Sequence, residues 1–244
     1  MKIIIAPAKK MNIRNDDFLF EKEPVFLEKT EHLMKLIQGL SIEEKKDLWK
    51  CNDKLVELNA QRFDDMDLRR CLTPAVYSYE GIQYQYMAPH VMETSSLDYI
   101  RDHLRILSGF YGVLGPFDGV VPYRLEMQAK LKGVGDLYKY WGDSIYKEIT
   151  KDDKVILNLA SKEYSKAVES YLVPGDKFVT CVFGEIVGGK VVQKGTFAKM
   201  ARGEMVNFLA ERQADSPEVA KEFDRLDFRF REDLSSEGEM VFVR

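Results

Sequence analysis

Residues His103–Leu131 read HLRILSGFYGVLGPFDGVVPYRLEMQAKL. Four glycines and two prolines fall between Gly109 and Pro122, the punctuation of a surface turn. Yet the stretch also carries Phe110, Tyr111, Val113, Leu114, Phe117, Val120, Val121 and Tyr123, and after the single Asp118, charge returns with Arg124-Leu125-Glu126. Two readings follow. One is an aromatic-packed core loop with glycines where the backbone needs positive φ. The other is a helix-hairpin-helix: a helix ending near Leu107, a glycine turn whose N–H groups, Gly109 among them, meet a DNA phosphate, and a following apolar segment. Leu131-Lys132-Gly133-Val134-Gly135 ahead of a helix is a second candidate for such a turn.

Outward from this stretch, helix and strand signals are interspersed. Lys2–Ile5 reads as a short strand buried on both faces, and Lys154–Ala160, KVILNLA, as the clearest buried strand. Lys177–Val187 and Lys190–Lys194 form a hairpin pattern across Gly188-Gly189, and Glu239–Val243 is a last strand. Pro24 begins a helix that Gly39 stops, Ser41-Ile42-Glu43-Glu44 is a capping box, and Asp53 caps the next helix. Pro74–Tyr86, rich in tyrosine, is expected as a strand or hairpin. Helices are expected from Ser95-Ser96 onward and over Leu137–Ile149 and Phe197–Arg212. No repeat, linker or strict βαβ alternation is present, so the expected class is α+β: one domain over 1–244, a mixed sheet and surrounding helices.

The 244 residues carry a net charge of −4, which argues against an overall basic nucleic-acid binder. The charge is unevenly spread: −3 over 1–98, +3 over 99–205 and −4 over 206–244. A positive middle hints at an anionic ligand. No apolar run approaches a membrane span, and the three scattered cysteines read as reduced, so a cytoplasmic protein without membrane contact is expected. His32, His90 and His103 have no metal-ligand spacing, and no metal or cofactor is expected. Nucleophile elbow, phosphate loop and dinucleotide fingerprint are all missing.

The polar residues that stand in apolar settings are cationic. Ser161 at a helix start leaves backbone N–H groups free for an anion, with Lys162 beside them. Lys9 follows a buried strand in the same way, Arg124 and Glu126 follow the aromatic turn, and Lys199 and Arg202 share a helix face. Lys9, Arg124, Lys162 and Lys199 are therefore expected to line one net-positive pocket.

Six segments in order, APAKKM at 6–11, NDKLVELNAQRF at 52–63, LRILSGFYGVLGPFDGVVPYRLEM at 104–127, LYKYWGDSI at 137–145, VILNLASKEYSKAV at 155–168 and FAKMARGEMVNF at 197–208, make the chain resemble the YaaA family of bacterial peroxide stress proteins. It departs at Leu114-Gly115-Pro116, where the family usually carries Leu-Arg-Pro. The resemblance implies a helix-hairpin-helix element, a basic cleft that binds double-stranded DNA, and a role in limiting iron-dependent oxidative damage under hydrogen peroxide. On this reading Lys9, Gly109, Arg124, Ser161, Lys162, Lys199 and Arg202 contact DNA or another phosphate-bearing ligand. The alternative is an enzyme acting on a nucleotide or nucleobase in the same cleft, with Glu126, Glu163 and Tyr164 as candidate catalytic groups. Direct iron binding is a third reading, poorly served by so few histidines and cysteines. The oligomeric state is unknown.

Overall fold

Three consecutive isoleucines with no exposed surface, Ile3, Ile4 and Ile5, place the first strand in the middle of a sheet, where both faces are covered. The computed structural model describes residues 1–14 and 18–244. Among these, eight strands join one sheet. In chain order they are β1 (Lys2–Ile5), β2 (Leu104–Ser108), β3 (Gly112–Leu114), β4 (Val155–Asn158), β5 (Lys177–Val187), β6 (Lys190–Val192), β7 (Arg229–Phe230) and β8 (Glu239–Val243). Their order across the sheet is β7-β8-β5-β4-β1-β2-β3, with β6 paired to β5. Five central strands, β8, β5, β4, β1 and β2, run parallel, while β3, β6 and β7 are antiparallel to their neighbours. The protein is a single compact α+β domain with a mixed sheet.

The helices are α1 (Leu27–Gln38), α2 (Ile42–Trp49), α3 (Asp53–Asp64), α4 (Ile82–Met87), α5 (Thr94–His103), α6 (Ser144–Thr150), α7 (Lys162–Glu169) and α8 (Gly195–Glu211), with shorter turns between them. Ser41 and Glu44 form the expected capping box at the start of α2. Asn52 rather than Asp53 caps α3, its side chain accepting from the Leu55 N–H. The expected helix over Leu137–Ile149 is interrupted at Gly142. Pro74–Tyr86 holds a two-residue strand, Tyr79–Glu80, paired with Lys10–Met11, between two short helical turns, Ala75–Ser78 and α4, so a strand is present but no hairpin. Tyr77, Tyr79 and Tyr84 are buried for packing, and burial imposes no period of two.

One feature of the topology positions the site. From β1 the chain leads to β2 on one side, and from β4, through α7, to β5 on the other. Because β1 and β4 are neighbours, the chain leaves this pair in opposite directions. Right-handed crossovers then lie on opposite faces of the sheet. A crevice opens outside the carboxyl ends of the two strands, the place where open α/β sheets bind ligands.

The stretch from His103 to Leu131 departs from the helix-hairpin-helix expectation. The helix ends at His103, and Leu104–Ser108 is strand β2, paired in register with Ile3–Ile5. It turns directly into β3, so strands flank the glycine turn where helices were expected. The second candidate turn, around Gly133, likewise joins two short strands, Lys130–Leu131 and Gly135–Asp136. An apolar run such as LRIL suits helix or strand equally; pairing with a fully buried neighbour decides it.

Around Ser108 the turn satisfies its backbone with hydroxyls. Ser108 Oγ accepts from the Phe110 N–H (3.1 Å) and the Tyr111 N–H (2.9 Å) and shares a 2.6 Å hydrogen bond with the Tyr123 hydroxyl. Tyr123 in turn meets Tyr79 at 2.8 Å, and the Tyr111 hydroxyl accepts from the Val121 N–H at 3.2 Å. Trp141 Nε1 donates to the Gly109 carbonyl at 3.0 Å. A Cβ at Gly109 would stand 2.6 Å from the Leu125 carbonyl oxygen, so this glycine lets the Arg124–Glu126 backbone pass directly over the turn.

The one carboxylate within the turn, Asp118, is 3% exposed and accepts from the Gly115 N–H at 2.8 Å. Burial pushes its carboxyl from the ordinary 3.8 up to about 6, despite that N–H and the nearby Lys22 and Arg105. The folded state therefore binds a proton more tightly than the unfolded chain, and stability falls as pH rises from about 4 through about 6. Asp118→Asn keeps an acceptor for Gly115 and removes the ionisation. Urea denaturation across this range should show the fall flattened in the variant, which at neutral pH is more stable by on the order of 2 kcal/mol. An unchanged pH slope would contradict this account.

Candidate functional site

The crevice between β1 and β4 receives one loop from each strand. Ala6–Lys9 leaves β1, and its first carbonyl accepts from the buried Tyr84 hydroxyl at 3.1 Å. Leu159–Ser161 leaves β4 and starts α7, with Ser161 in the extended N-cap conformation. Ser161 does not cap its own helix: no side-chain hydrogen bond closes the start of α7, so its hydroxyl and the first helical N–H groups stay uncommitted. The third wall is α8. It lies on α4 so closely that a Cβ at Gly203 would stand 2.2 Å from the Gln83 carbonyl oxygen. That approach carries Lys199 and Arg202, one turn of α8, over the ends of the strands.

The result is a cleft of about 390 Å³ lined by Lys9, Ser161, Glu163, Tyr164, Lys199 and Arg202, all singled out from the sequence. Arg124 and Glu126 occupy a narrow adjoining crevice that shares Lys9 and Tyr164 with the cleft. There the Glu126 Oε1 receives both Lys9 Nζ at 2.8 Å and Arg124 Nη2 at 3.3 Å, which ties the β1 exit loop to the end of the aromatic turn.

Two expected contacts lie elsewhere. Lys162 extends over a second cavity on the far side of the α7 start and pairs with Glu169. As the residue after the N-cap it turns away from the face that Ser161 presents. Gly109 is buried beneath Leu125 and Glu126 and lines neither the cleft nor the adjoining crevice, so its role is close packing.

The electrostatics of the cleft are those of unsatisfied donors. Arg202 is largely buried; among the described residues its Nε has no hydrogen-bond partner, and its Nη2 reaches only Gln193 Oε1 at 3.5 Å. Burial lowers its pKa, opposed by the Cys181 thiol alone and by no carboxylate; a guanidinium remains protonated nonetheless. The buried side-chain amide of Gln83, in the same wall, also lacks a partner at Nε2, as does Arg124 at Nε in the adjoining crevice. Gln83 was not foreseen from the sequence, since a neutral amide in a tyrosine-rich stretch carries no pattern of its own.

Glu163 and Tyr164 face the same space. Burial, and then the neighbouring Glu126, push the Glu163 carboxyl up, while the Gln128 N–H and Lys9 oppose the shift. Burial keeps the Tyr164 phenol firmly protonated. Among the described residues no group of three or more His, Cys, Asp or Glu side chains is placed to hold a metal ion. Nor is any helix among them long and apolar enough to cross a membrane.

Fold and cleft together define a one-domain α+β protein that offers a cationic, donor-rich crevice at the point where its parallel strands diverge. By sequence the chain belongs to the peroxide stress protein YaaA family, whose sequence model matches residues 1–234. It is 54% identical to a UPF0246 protein of Agathobacter rectalis over 247 aligned residues, covering all of this chain and 99% of that one. It is also 54% identical to a UPF0246 protein of Pediococcus pentosaceus and 55% identical to one of Desulfitobacterium hafniense, each aligned over 100% of this chain and 98% of the relative.

The contact between α8 and α4 is the most exposed point of this architecture to mutation. Gly203→Ala should destabilise the protein by about 1–3 kcal/mol, the usual cost of overpacking a rigid contact. Denaturant titration measures it, and a loss below about 0.5 kcal/mol would show that α8 can lift from α4 at little cost.

Proposed function

We propose that this chain acts in peroxide stress by binding a phosphate-bearing ligand in the cleft between β1 and β4. What carries the reading is the set of three buried N–H donors without partners, on Gln83, Arg124 and Arg202, around a cleft rimmed by Lys9 and Lys199. A buried donor left unmade costs about 1–3 kcal/mol. A phosphate, with several acceptor oxygens and negative charge, answers such donors together. The uncapped start of α7 adds N–H groups and the positive end of a helix dipole, a ready anion seat. At about 390 Å³ the cleft has the size of sites that enclose small ligands.

Double-stranded DNA, the partner implied by the family resemblance, offers the same phosphate chemistry at the rim, on Lys9 and Lys199. Enclosure and the inward-facing Arg202 favour a nucleotide-sized ligand over a duplex. On this reading any effect on iron-dependent damage runs through the ligand held.

Arg202→Met keeps most of the volume of the side chain and removes its charge. Affinity for adenosine monophosphate should fall about 10- to 100-fold, the equivalent of one charge-assisted hydrogen bond. Stability should rise by on the order of 1 kcal/mol, because an unpaired buried cation is gone. A duplex oligonucleotide titrated alongside, across salt concentrations, separates the partners: duplex binding falls at about −0.9 in log–log slope per phosphate neutralised. Unchanged affinity for nucleotide and duplex in the variant would remove Arg202 from the site.

A second reading, an enzyme acting on a nucleotide or nucleobase, is favoured by the raised carboxyl of Glu163 in the same cleft. If the cleft does chemistry, Glu163→Gln or Glu126→Gln should reduce turnover about 10²–10⁴-fold with ligand binding kept. If it only binds, peroxide protection in cells carrying either variant should match the parent.

A further inference from the structure

On the other side of the α7 start lies a second cavity, about 500 Å³, bounded by Asn158, Thr180 and Gln193 with Phe178 and Leu172. It opens at the carboxyl end of β4 and beside the first half of the parallel neighbour β5, where Phe178, Thr180, Cys181 and Val182 line it. Ser161 lines the first cavity and Lys162, the next residue, lines the second, so the uncapped end of α7 is the partition between them. One residue lines both: Arg202, with its Nη2 toward Gln193 on one side and its Nε without a partner.

The two cavities differ in charge. The first carries Lys9, Lys10, Lys199 and Arg202 against Glu80 and Glu163, an excess of positive charge. In the second, Lys162 and Arg202 are balanced by Glu169 and Glu239, and Lys162 is already paired with Glu169. A second phosphate gains nothing there. The Asn158 amide is spent within the wall, donating to Thr180 Oγ1 at 3.2 Å while its oxygen accepts from the Ala160 N–H at 2.9 Å. The Gln193 amide, the Thr180 hydroxyl as a donor and the Phe178 ring suit an uncharged group with a hydrogen-bonding edge and an apolar face.

We propose that the ligand is a phosphodiester that bridges the two cavities: its single phosphate lies on Arg202 and the start of α7, with one nucleoside in each cavity. The proposal rests on the phosphate-binding reading of the first cleft and adds the second cavity to it. A guanidinium suits this position because its planar fork presents donors along more than one edge. A terminal phosphate would leave the second cavity unused; a phosphodiester carries a substituent on both sides.

The test compares adenosine 5′-monophosphate with the dinucleoside monophosphate adenylyl-(3′→5′)-adenosine by calorimetric titration of the full chain. The dinucleoside phosphate should bind at least tenfold more tightly. Gly238→Trp plugs the second cavity from its rim, at a position where an added Cβ meets nothing closer than the Phe178 carbonyl oxygen at 3.7 Å. In this variant the advantage of the dinucleoside phosphate should vanish while adenosine monophosphate binds as before. Glu239→Trp, at an exposed position on the same rim and outside the first cavity, repeats the test should the first variant fail to fold. Equal affinity of the two ligands for the parent, or an advantage that survives the plug, overturns the bridge and leaves the first cleft standing. Failure of both ligands to bind the parent overturns the cleft reading and the bridge together.

Discussion

The divergence of the chain at β1 and β4 is the constraint on which the rest of the structure depends. Two neighbouring parallel strands whose continuations leave in opposite directions cannot both be covered at their carboxyl ends by their own connections. The gap has to be walled by elements from elsewhere in the sequence. Here the walls are α8, pressed on α4 through Gly203, and the Arg124–Glu126 segment, laid over Gly109. Both contacts require the missing Cβ, so the two glycines that look least chemical set the dimensions of the cleft.

The same gap explains where polar groups are left unsatisfied. Elsewhere in the core most buried donors and acceptors are paired: the aromatic turn is held by Ser108, Tyr111, Tyr123 and Tyr79, with Asp118 accepting from Gly115. Among the buried side-chain atoms of the described residues, only Trp49 Nε1 and Asp118 Oδ1 lack a hydrogen-bond partner away from the cleft. Around the cleft that economy stops, and three donors face inward without partners. Folding alone favours no such arrangement, since removing an unpaired buried donor is close to neutral or stabilising. On the proposed reading a bound acceptor answers them, which is the usual trade between stability and function at a site.

Much of the fold could be read from residues. Lys2–Ile5 and Val155–Asn158 announce themselves because an apolar run with no polar alternate positions has only a two-faced interior to occupy. The hairpin at Gly188-Gly189 and the capping box at Ser41 are local chemistry and need no tertiary context. The strand at Leu104–Ser108 was hidden because its apolar run continues that of α5, and only the partner β1 tells the two apart. Over Pro74–Tyr86 only Tyr79–Glu80 is strand, because the preference of tyrosine for strands reflects half-buried surfaces, while here Tyr77, Tyr79 and Tyr84 are packed into the core. For the site, strand exits correctly brought Lys9 and Ser161 to one cleft, and helical spacing added Lys199 and Arg202. Lys162 failed because adjacent residues at a helix start face about 100° apart. Gln83 was invisible because its importance lies wholly in what surrounds it.

The position of β1 also sets a timetable. Its two neighbours are strands whose paired residues begin at Leu104 and Ile156, about 100 and about 150 residues further along the chain. During synthesis the isoleucine run leaves the ribosome long before either partner exists. At about 5–20 residues per second it waits for several seconds or more with both apolar faces and both hydrogen-bonding edges open. Non-local parallel pairing of this kind is slow to form and exposed to aggregation while it forms. The central strand of the finished sheet is thus, in the nascent chain, the segment most in need of a chaperone.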